Sequence, residues 1–567
     1  MSLSSIIGAA GSALTASQTR IAVANLNVAN ADDLTYTRKT VTSAATTTTV
    51  ALSDATILRV ADSYLSKTVL KTAAAAGGDA ITDSYLQSYD AALGSTDGGD
   101  DISSLMTAFS TALSALASSP DATSKAQLVS DASALADGIR GLSAEIQDLR
   151  TQANSQIEAT VATVNQTLGS LASLNDQIAT VTAQGGDTTS LEDQRDAALT
   201  TLSGLMGVSS YVTADNQLRV YTTGGDALLG TTAATLGYTA SSQLGATATY
   251  PGSIAGITLN GKDVTTSLTT GELGALVTLR DQTLPAEQDK LDALASTLIA
   301  QVNAVTNAGS SVPAPNSLTS ADTVSATDAL AATGTLRVAV TDSSGKVVST
   351  QDLDLSPYST VGDLVTALNG IGGLSAGIGS DGKLSITATS SANGVSLADD
   401  GAGLSAMFGF NNLLTGSTAS DIGVSSTLTN DPGGLPTAVL STSATLAVGD
   451  LALASGDSTI ADQLASLMTT SVSFAATGGQ AARTATLSSY ASGFVSGAAT
   501  MIAAAASQSE ASTAASDAAT SRLQNLTAVN IDEELANLTQ YQTQYEANAQ
   551  LISIAKDLFD TLVNMVS

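Results

Sequence analysis

The chain has 567 residues and a formal net charge of −31 at pH 7, from 20 Lys and Arg against 51 Asp and Glu. This acidity argues against nucleic acid or an anionic membrane surface as a partner, because both require a cationic face. The sequence contains no Cys, His or Trp, which removes disulfides and the commonest general bases, nucleophiles and transition-metal ligands. We therefore expect no enzyme, cofactor or metal.

The first predicted element is an amphipathic helix at the N-terminus. Two lines of residues recur every seven positions: Ile7, Leu14, Ile21 and Val28, and beside them Leu3, Ala10, Ser17 and Ala24. No basic stretch precedes an apolar core here, and no apolar run in the chain reaches the ~20 residues of a membrane span. We expect no cleaved signal peptide and no membrane partner.

The next segments alternate between extended and helical patterns. Residues 40–60 are rich in Thr and Val and predict extended chain, and residues 62–93 predict a helix broken at Gly77-Gly78. An acidic turn follows at 97–101, which lacks the ligand order of an EF-hand, and another helix then runs to Ala117.

The longest periodic segment opens at Pro120-Asp121 and ends at Gly185-Gly186. Its apolar residues form a heptad stripe with one stutter, which predicts a helix of about 60 residues and roughly 90 Å. A short helix follows, and we interpret its charged run 191–196 as a solvated face. Residues 208–229 and 254–268 predict short antiparallel strands, and residues 271–309 predict a helix.

Two proline clusters, Pro313 with Pro315 and Pro432 with Pro436, bracket a segment of different texture. It contains strand-like and helix-like stretches and predicts an inserted α+β or mainly β domain. The stretch 377–383 matches most of a phosphate-binding loop, but Leu384 stands where Ser or Thr is needed. We interpret Asp381-Gly382 as a hairpin turn instead.

A long Ala-rich helix follows the insert, and the chain closes with an amphipathic helix over 530–567. Its main stripe combines two lines of period seven: Leu538, Tyr545, Ile552, Phe559 and Val566, and Tyr541, Asn548, Ala555 and Leu562. Leu551, Leu558 and Met565 widen this stripe, and Asn530 with Glu533 predicts a capping box. Matched periods at both termini predict that the two terminal helices pair.

The residues 27–30 (Asn-Val-Ala-Asn) and 36–38 (Tyr-Thr-Arg) resemble the N-terminal signature of bacterial flagellar axial proteins, the family of rod, hook and flagellin subunits. The residues 529–535, 541–549 and 559–562 resemble the C-terminal region of its hook and hook-associated members. The segments 174–196 and 271–309 resemble the hook-associated branch in particular. Asp33-Leu34-Thr35 replaces the Thr-Pro-Gly common in the family.

The predicted fold class is mainly α with β subdomains. We expect paired terminal coiled-coil helices (1–45 with 525–567), a long-helix bundle with a small β part (46–311 with 438–524, the β part at about 208–270) and an inserted outer domain (312–437). The predicted assembly interface comprises Ile7, Leu14, Ile21, Asn27, Val28, Asn30, Leu538, Tyr541, Tyr545, Asn548, Ile552, Phe559, Leu562 and Val566.

The resemblance implies a structural subunit that joins hook to filament by helical self-assembly through its terminal helices. The implied partners are copies of itself, hook protein on one side, and the next hook-associated protein or the filament on the other. It further implies a cytoplasmic export chaperone at the C-terminal helix, the flagellar type III export apparatus, and a final place in the extracellular flagellum. The alternatives are another axial protein, such as hook protein or flagellin, or a surface adhesin with a coiled-coil stalk.

Overall fold

A computed structural model describes residues 3–42, 56–95, 98–400 and 402–566, without the side chains of residues 3, 4, 400 and 566. The part of the predicted extended segment at 43–55, Asp97 of the acidic turn, and the side chains of Leu3 and Val566 therefore lie outside the described residues.

Helices dominate the described chain, as the sequence predicted. They are α1 (Leu3–Ala29), α2 (Ser63–Leu93), α3 (Ile102–Ser118), α4 (Ala122–Ala183), α5 (Thr189–Leu205), α6 (Gly271–Thr278), α7 (Leu284–Thr306), α8 (Val361–Asn369), α9 (Leu404–Phe408), α10 (Ser426–Asn430), α11 (Thr459–Leu467), α12 (Leu487–Thr527) and α13 (Ile531–Val566). One π-helical turn, Leu279–Thr283, joins α6 to α7.

The strands are short and all their ladders are antiparallel. They are β1 (Lys39–Thr42), β2 (Thr56–Arg59), β3 (Val208–Val212), β4 (Leu218–Thr222), β5 (Ala227–Leu229), β6 (Leu236–Gly237), β7 (Thr258–Leu259), β8 (Lys262–Asp263), β9 (Ser317–Thr323), β10 (Thr335–Asp342), β11 (Val347–Asp354), β12 (Leu374–Ile378), β13 (Lys383–Ala388), β14 (Asn393–Asp400), β15 (Leu414–Thr415), β16 (Gly423–Val424), β17 (Val472–Phe474) and β18 (Arg483–Ala485).

Helix α4 confirms the longest prediction. The Asp121 carboxylate caps its start by accepting the N–H groups of Thr123 and Ser124, each at 2.9 Å. Its predicted stripe is buried along the whole helix, at Leu135, Ile139, Leu142, Ile146, Leu149, Ala153, Ile157, Val161, Val164, Leu168, Leu171 and Ile178. Helices α2 to α7, α11 and α12 share one hydrophobic core with this stripe.

Helix α2 corrects the prediction of a break at Gly77-Gly78, since it is continuous through both glycines. The glycines instead permit close backbone approach. A Cβ on Gly77 would lie 2.5 Å from the carbonyl oxygen of Gly204 in α5, and one on Gly78 would lie 3.0 Å from that of Gly271 at the start of α6. The two glycines therefore allow three helices to meet closely.

The insert has a core of its own. Two three-stranded sheets, in the orders β11-β10-β14 and β12-β13-β9, enclose apolar side chains together with α8 and α9. Strands β12 and β13 form a hairpin with Gly382 at a φ of 75°, so the loop resembling a phosphate site is the predicted hairpin turn. Among the described residues, no group of His, Cys, Asp or Glu could hold a metal ion.

Two stretches pack into a different domain from the one that the predicted boundary at residue 437 assigns to them. Leu413, Ile422 and Leu428 pack into the helical core rather than into the insert. Leu440 and Leu453, beyond the boundary, pack against the insert's sheet residues Ala339 and Val347. The three-domain division stays a prediction, because these contacts interleave the two bodies near the exit from the insert.

Candidate assembly surface

The two terminal helices lie side by side and run antiparallel. Gln18 donates from Nε2 to the hydroxyl of Tyr545 at 3.5 Å, and the Arg20 guanidinium lies 5.8 Å from the ring centroid of Tyr541. Moving towards the C-terminus of α1 therefore means moving towards the N-terminus of α13. In this register α1 begins about level with Phe559, so the last turns of α13 extend beyond it.

The face that α1 buries consists mostly of small residues, with Val23 among them. Ala10, Ser17 and Ala24 are buried, whereas Ile7 is 36% exposed. Leu14, Ile21 and Val28, on the other predicted line, are half-buried. Small side chains allow the backbones of two helices to approach closely, and the larger residues then flank the contact. Sequence reasoning gave the larger residues the main role in the interface.

The main stripe of α13 lies on the side that faces α1. Leu538, Tyr541, Tyr545, Asn548 and Ile552 are half-buried, and Ala555 is buried. Phe559 and Leu562 are 53% and 55% exposed, and they lie at or beyond the level where the described part of α1 begins. A single copy of α1 thus covers only the first two thirds of the stripe.

A second apolar face of α13 has no cover within the described chain. Its residues are spaced by three or four positions and are between 47% and 79% exposed. They are Leu551, Ile554, Leu558, Met565 and, at the edge shared with the main stripe, Leu562. Such spacing places them on one side of the helix. We call this set the outer stripe. Contiguous exposed apolar surface of this kind marks a site of protein interaction.

Asn27 is buried and acts inside the subunit. Its Nδ2 donates to the carbonyl oxygen of Lys39 at 2.9 Å, and its Oδ1 accepts the N–H of Lys39 at 3.0 Å and the hydroxyl of Tyr36 at 2.8 Å. The Asn27 side chain therefore forms two hydrogen bonds with the backbone of Lys39, as a neighbouring β-strand would. Asn30, by contrast, donates to the Leu26 carbonyl at 2.8 Å and caps the end of α1.

The chain reverses after α1 through a turn that needs no Pro-Gly. The Asp33 carboxylate accepts the N–H and the hydroxyl of Thr35 at 2.9 and 2.8 Å, and the Tyr36 N–H donates to the Asp33 carbonyl at 3.1 Å. These bonds also lower the pKa of Asp33, chiefly through the Thr35 N–H. The departure from the family's usual turn sequence is therefore compensated by the Asp33 carboxylate.

In the segment 37–39, alternate side chains point to opposite sides. On one side the Lys39 ammonium lies 2.8 Å from a carboxylate oxygen of Asp193 in α5, and Thr37 donates to the same carboxylate. Lys39 also lies 3.6 Å from the centroid of the Tyr36 ring. Burial raises the pKa of Tyr36, and nearby Asp193 adds to the effect, so its hydroxyl stays a donor to Asn27.

The charged run of α5 is not the solvated face that the sequence predicted. Arg59 pairs with Glu192, Asp193 and Asp196 at 2.8, 3.4 and 2.6 Å, and the Asp193 side chain is only 7% exposed. The acidic side chains of α5 therefore contact Lys39 of β1 and Arg59 of β2. We call Thr37, Lys39, Arg59 and Asp193 the anchor, because they join the N-terminal segment to the helical core.

On the opposite side, Arg38 reaches the C-terminal helix. Its guanidinium lies 2.8 Å from Glu533 and 2.9 Å from Glu534, both in the first turn of α13. Asn530 caps this turn as predicted, accepting the N–H groups of Asp532 and Glu533 at 3.1 and 3.3 Å. The second half of the predicted capping box is replaced, since the Glu533 carboxylate pairs with Arg38.

Sequence reasoning missed the anchor and the role of Arg38. The available signal was the order Thr37-Arg38-Lys39 in extended chain, because period-two alternation sends the outer two residues one way and Arg38 the other. The partners lie about 150 and 500 residues away in sequence, as the separations 154 for Lys39–Asp193 and 496 for Arg38–Glu534 show. Spacing within one segment does not encode such partners.

Two family models match the chain. Residues 86–315 match the flagellar hook-associated protein FlgK helical domain, and residues 525–565 match the C-terminal region of the flagellar basal body rod FlgEFG proteins. The first match contains α3 to α7, and the second contains all of α13 except its last residue. The insert core lies outside both.

Among curated proteins, flagellar hook-associated protein 1 of Salmonella typhimurium strain LT2 and that of Salmonella typhi are each 50% identical over 42 residues, which is 7% of this chain and 8% of each relative. The structure of the flagellar hook junction protein FlgK from Burkholderia pseudomallei aligns at 20% identity with a TM-score of 0.49, covering 81% of this chain and 100% of that chain.

Proposed function

We propose that this chain is a member of the flagellar hook-associated proteins and a structural subunit that joins hook to filament by helical self-assembly. The observation that carries the proposal is the outer stripe on α13. It leaves Leu551, Leu558 and Met565 in water on a helix whose other face is already partly covered by α1. Contacts between one copy's stripe and its neighbours would remove this surface from water and extend the array.

The match of residues 86–315 to the hook-associated helical domain favours this assignment over hook protein and flagellin. The adhesin alternative has no such support, whereas residues 525–565 match the C-terminal region of flagellar basal body rod proteins. Within the described residues no helix is long and apolar enough to cross a membrane.

The proposed partners of the chain follow from the same assignment. Copies of the chain would contact one another through the terminal pair, with hook protein below and the next hook-associated protein or filament above. Before assembly, an export chaperone would cover the outer stripe in the cytoplasm, and the chain would leave through the flagellar type III export apparatus. Pull-down with a chain that ends at Val529 tests the chaperone, since retained binding would place its contact elsewhere.

Electron microscopy of the purified protein mixed with hook fragments tests the junction itself. We expect a short zone of added density at one end of the hook, whose length does not grow with protein concentration. A chain carrying Phe559→Asp serves as the assembly-deficient comparison. Long filaments without hooks would assign the chain to flagellin-like proteins, and absence of any binding would reject the proposal.

A further inference from the structure

Arg38 touches both sides of the connection between α12 and α13. Its backbone N–H donates to the carbonyl oxygen of Thr527, the last residue of α12, at 2.7 Å. Its side chain forms ion pairs with Glu533 and Glu534 in the first turn of α13. Only residues 528–530 separate the two helices. One residue, remote in sequence, thus spans the whole connection.

The backbone of Arg38 is held firmly by its neighbours. Val60 donates to the Arg38 carbonyl at 2.8 Å, and the adjacent Lys39 belongs to the anchor, with its side chain fully buried. The position of Arg38 is therefore set by the helical core through α5. The freedom that remains lies in the guanidinium and in the three connecting residues.

The two halves of this arrangement differ in exposure. The Lys39 and Asp193 side chains are 0% and 7% exposed, whereas Arg38 and Glu533 are 24% and 53% exposed and Glu534 is only 5% exposed. Salt screens exposed ion pairs strongly and buried pairs much less. High salt therefore weakens the contact of Arg38 with Glu533 more than it weakens the anchor or the contact of Arg38 with Glu534.

We propose that Arg38 is a latch that sets the angle between α12 and α13, and hence the direction in which the terminal pair leaves the helical core. Its planar fork reaches two carboxylates on successive residues of one helical turn, a geometry that a lysine ammonium does not reproduce. When the latch opens, α13 pivots about residues 528–530, and α1, still paired to α13, pivots about its own tie to the Lys39 backbone through Asn27. The device would let one sequence present its terminal pair at more than one angle.

The absence of Cys from the chain makes the test direct, because spin labels can be attached at introduced cysteines alone. A first label pair, S521C with S553C, reports the distance between α12 and α13. A second pair, T15C with S553C, reports the distance within the terminal pair. All five positions of the design, including Arg38 and the exposed control Arg522, carry described side chains.

We expect the first label pair to show one narrow distance peak in low salt, and Arg38→Gln to abolish it. Arg38→Lys should give an intermediate width, and Arg522→Gln should leave the peak unchanged. In about 1 M salt, where the Debye length is ~3 Å, the peak of the unsubstituted chain should broaden less than that of Arg38→Gln, because Glu534 is only 5% exposed. Arg38→Gln itself should not change further. The second label pair should keep its distance throughout.

An unchanged first peak in Arg38→Gln would overturn the proposal. Simultaneous broadening of both label pairs would also overturn it, because Arg38 would then hold the terminal helices together rather than set their direction. Circular dichroism of each variant shows that α12 and α13 remain helical. Because the measurement uses dilute single copies, its failure would leave the proposed junction function untouched.

Discussion

The Lys39 ammonium lies 2.8 Å from the Asp193 carboxylate, and the two side chains are 0% and 7% exposed. This ion pair joins the strand that follows the first helix to α5 in the helical core. Asp193 also accepts from Thr37 and Arg59, so the carboxylate holds three partners, whereas the ammonium has this carboxylate and the Tyr36 ring.

We predict that Asp193→Asn destabilises the protein more than Lys39→Met. The first change leaves the Lys39 ammonium buried without an anion, which costs roughly 3–5 kcal/mol. The second leaves Asp193 still bonded to Arg59 and Thr37, so its cost is smaller. Urea unfolding followed by circular dichroism measures both. Asp137→Asn, which removes an exposed pair with Arg140, is the control, and an equal shift in all three variants would contradict the prediction.

Gly77→Ala in α2 should destabilise the protein although alanine is the better helix former. The added Cβ would meet the Gly204 carbonyl oxygen at 2.5 Å, so α2 and α5 would have to separate. Gly169→Ala in α4 is the matched control, because nothing lies within 4 Å of its Cβ position. There we expect a gain of about 0.5–1 kcal/mol. Thermal unfolding should move in opposite directions for the two variants.

Phe559→Asp should abolish assembly while leaving the single copy folded. The ring is 53% exposed in one copy, so the substitution costs little there, but it would place an unpaired carboxylate in any contact that covers the ring. Gln550→Asp introduces the same charge at an exposed polar position of α13. Sedimentation and incorporation into hook fragments compare the two. Normal assembly of Phe559→Asp would show that the end of the main stripe is no interface.

Removal of residues 311–410 should leave the helical core folded when a short Gly-Ser linker joins the ends. The entry and exit of the insert are adjacent, because Asn411 bonds to Asn307 and to the Gly309 carbonyl, each at 2.9 Å. Leu440 and Leu453 lose their contacts with the insert's sheet in this deletion and in the longer one described next. Both deletion chains therefore also carry Leu440→Ser and Leu453→Ser.

A longer deletion, of residues 311–431, should fail to fold. It removes Leu413, Ile422 and Leu428 from the helical core, and each lost leucine or isoleucine costs about 2–5 kcal/mol. Far-UV circular dichroism and urea unfolding distinguish the two chains. Equal stability would show that these residues contribute nothing to the helical core.

Amide hydrogen exchange of the free protein should be slowest in α4 and fastest at the two termini. The stripe of α4 is buried from Leu128 to Ile178, whereas α13 is largely exposed from Lys556 onward. Helices with half-covered faces gain little from propensity alone. We expect α1 and α13 to gain protection on assembly. Equal protection of α13 and α4 in a verified monomer would show that the terminal pair is self-sufficient.

Local pattern carried most of the helix predictions. The long helix α4 and its Asp121 cap could be recognised because heptad periodicity and capping depend on residues within one or two turns. The hairpin at Asp381-Gly382 followed from the same kind of local rule. The errors at Gly77-Gly78 and in the charged run of α5 have a common cause. In both, the deciding contact comes from an element far along the chain.

The sequence by itself determined that two amphipathic helices of matched period close the chain, and that the last one is too wide for the first to cover. It also determined which residues lie on each helical face, because 3.6 residues per turn fix this locally. Tertiary structure alone decided that small residues rather than Ile7 form the seam between them. It alone also placed Thr37 and Lys39 against α5 and Arg38 against α13, since the energy of a buried or bridging charge depends on partners brought near only by folding.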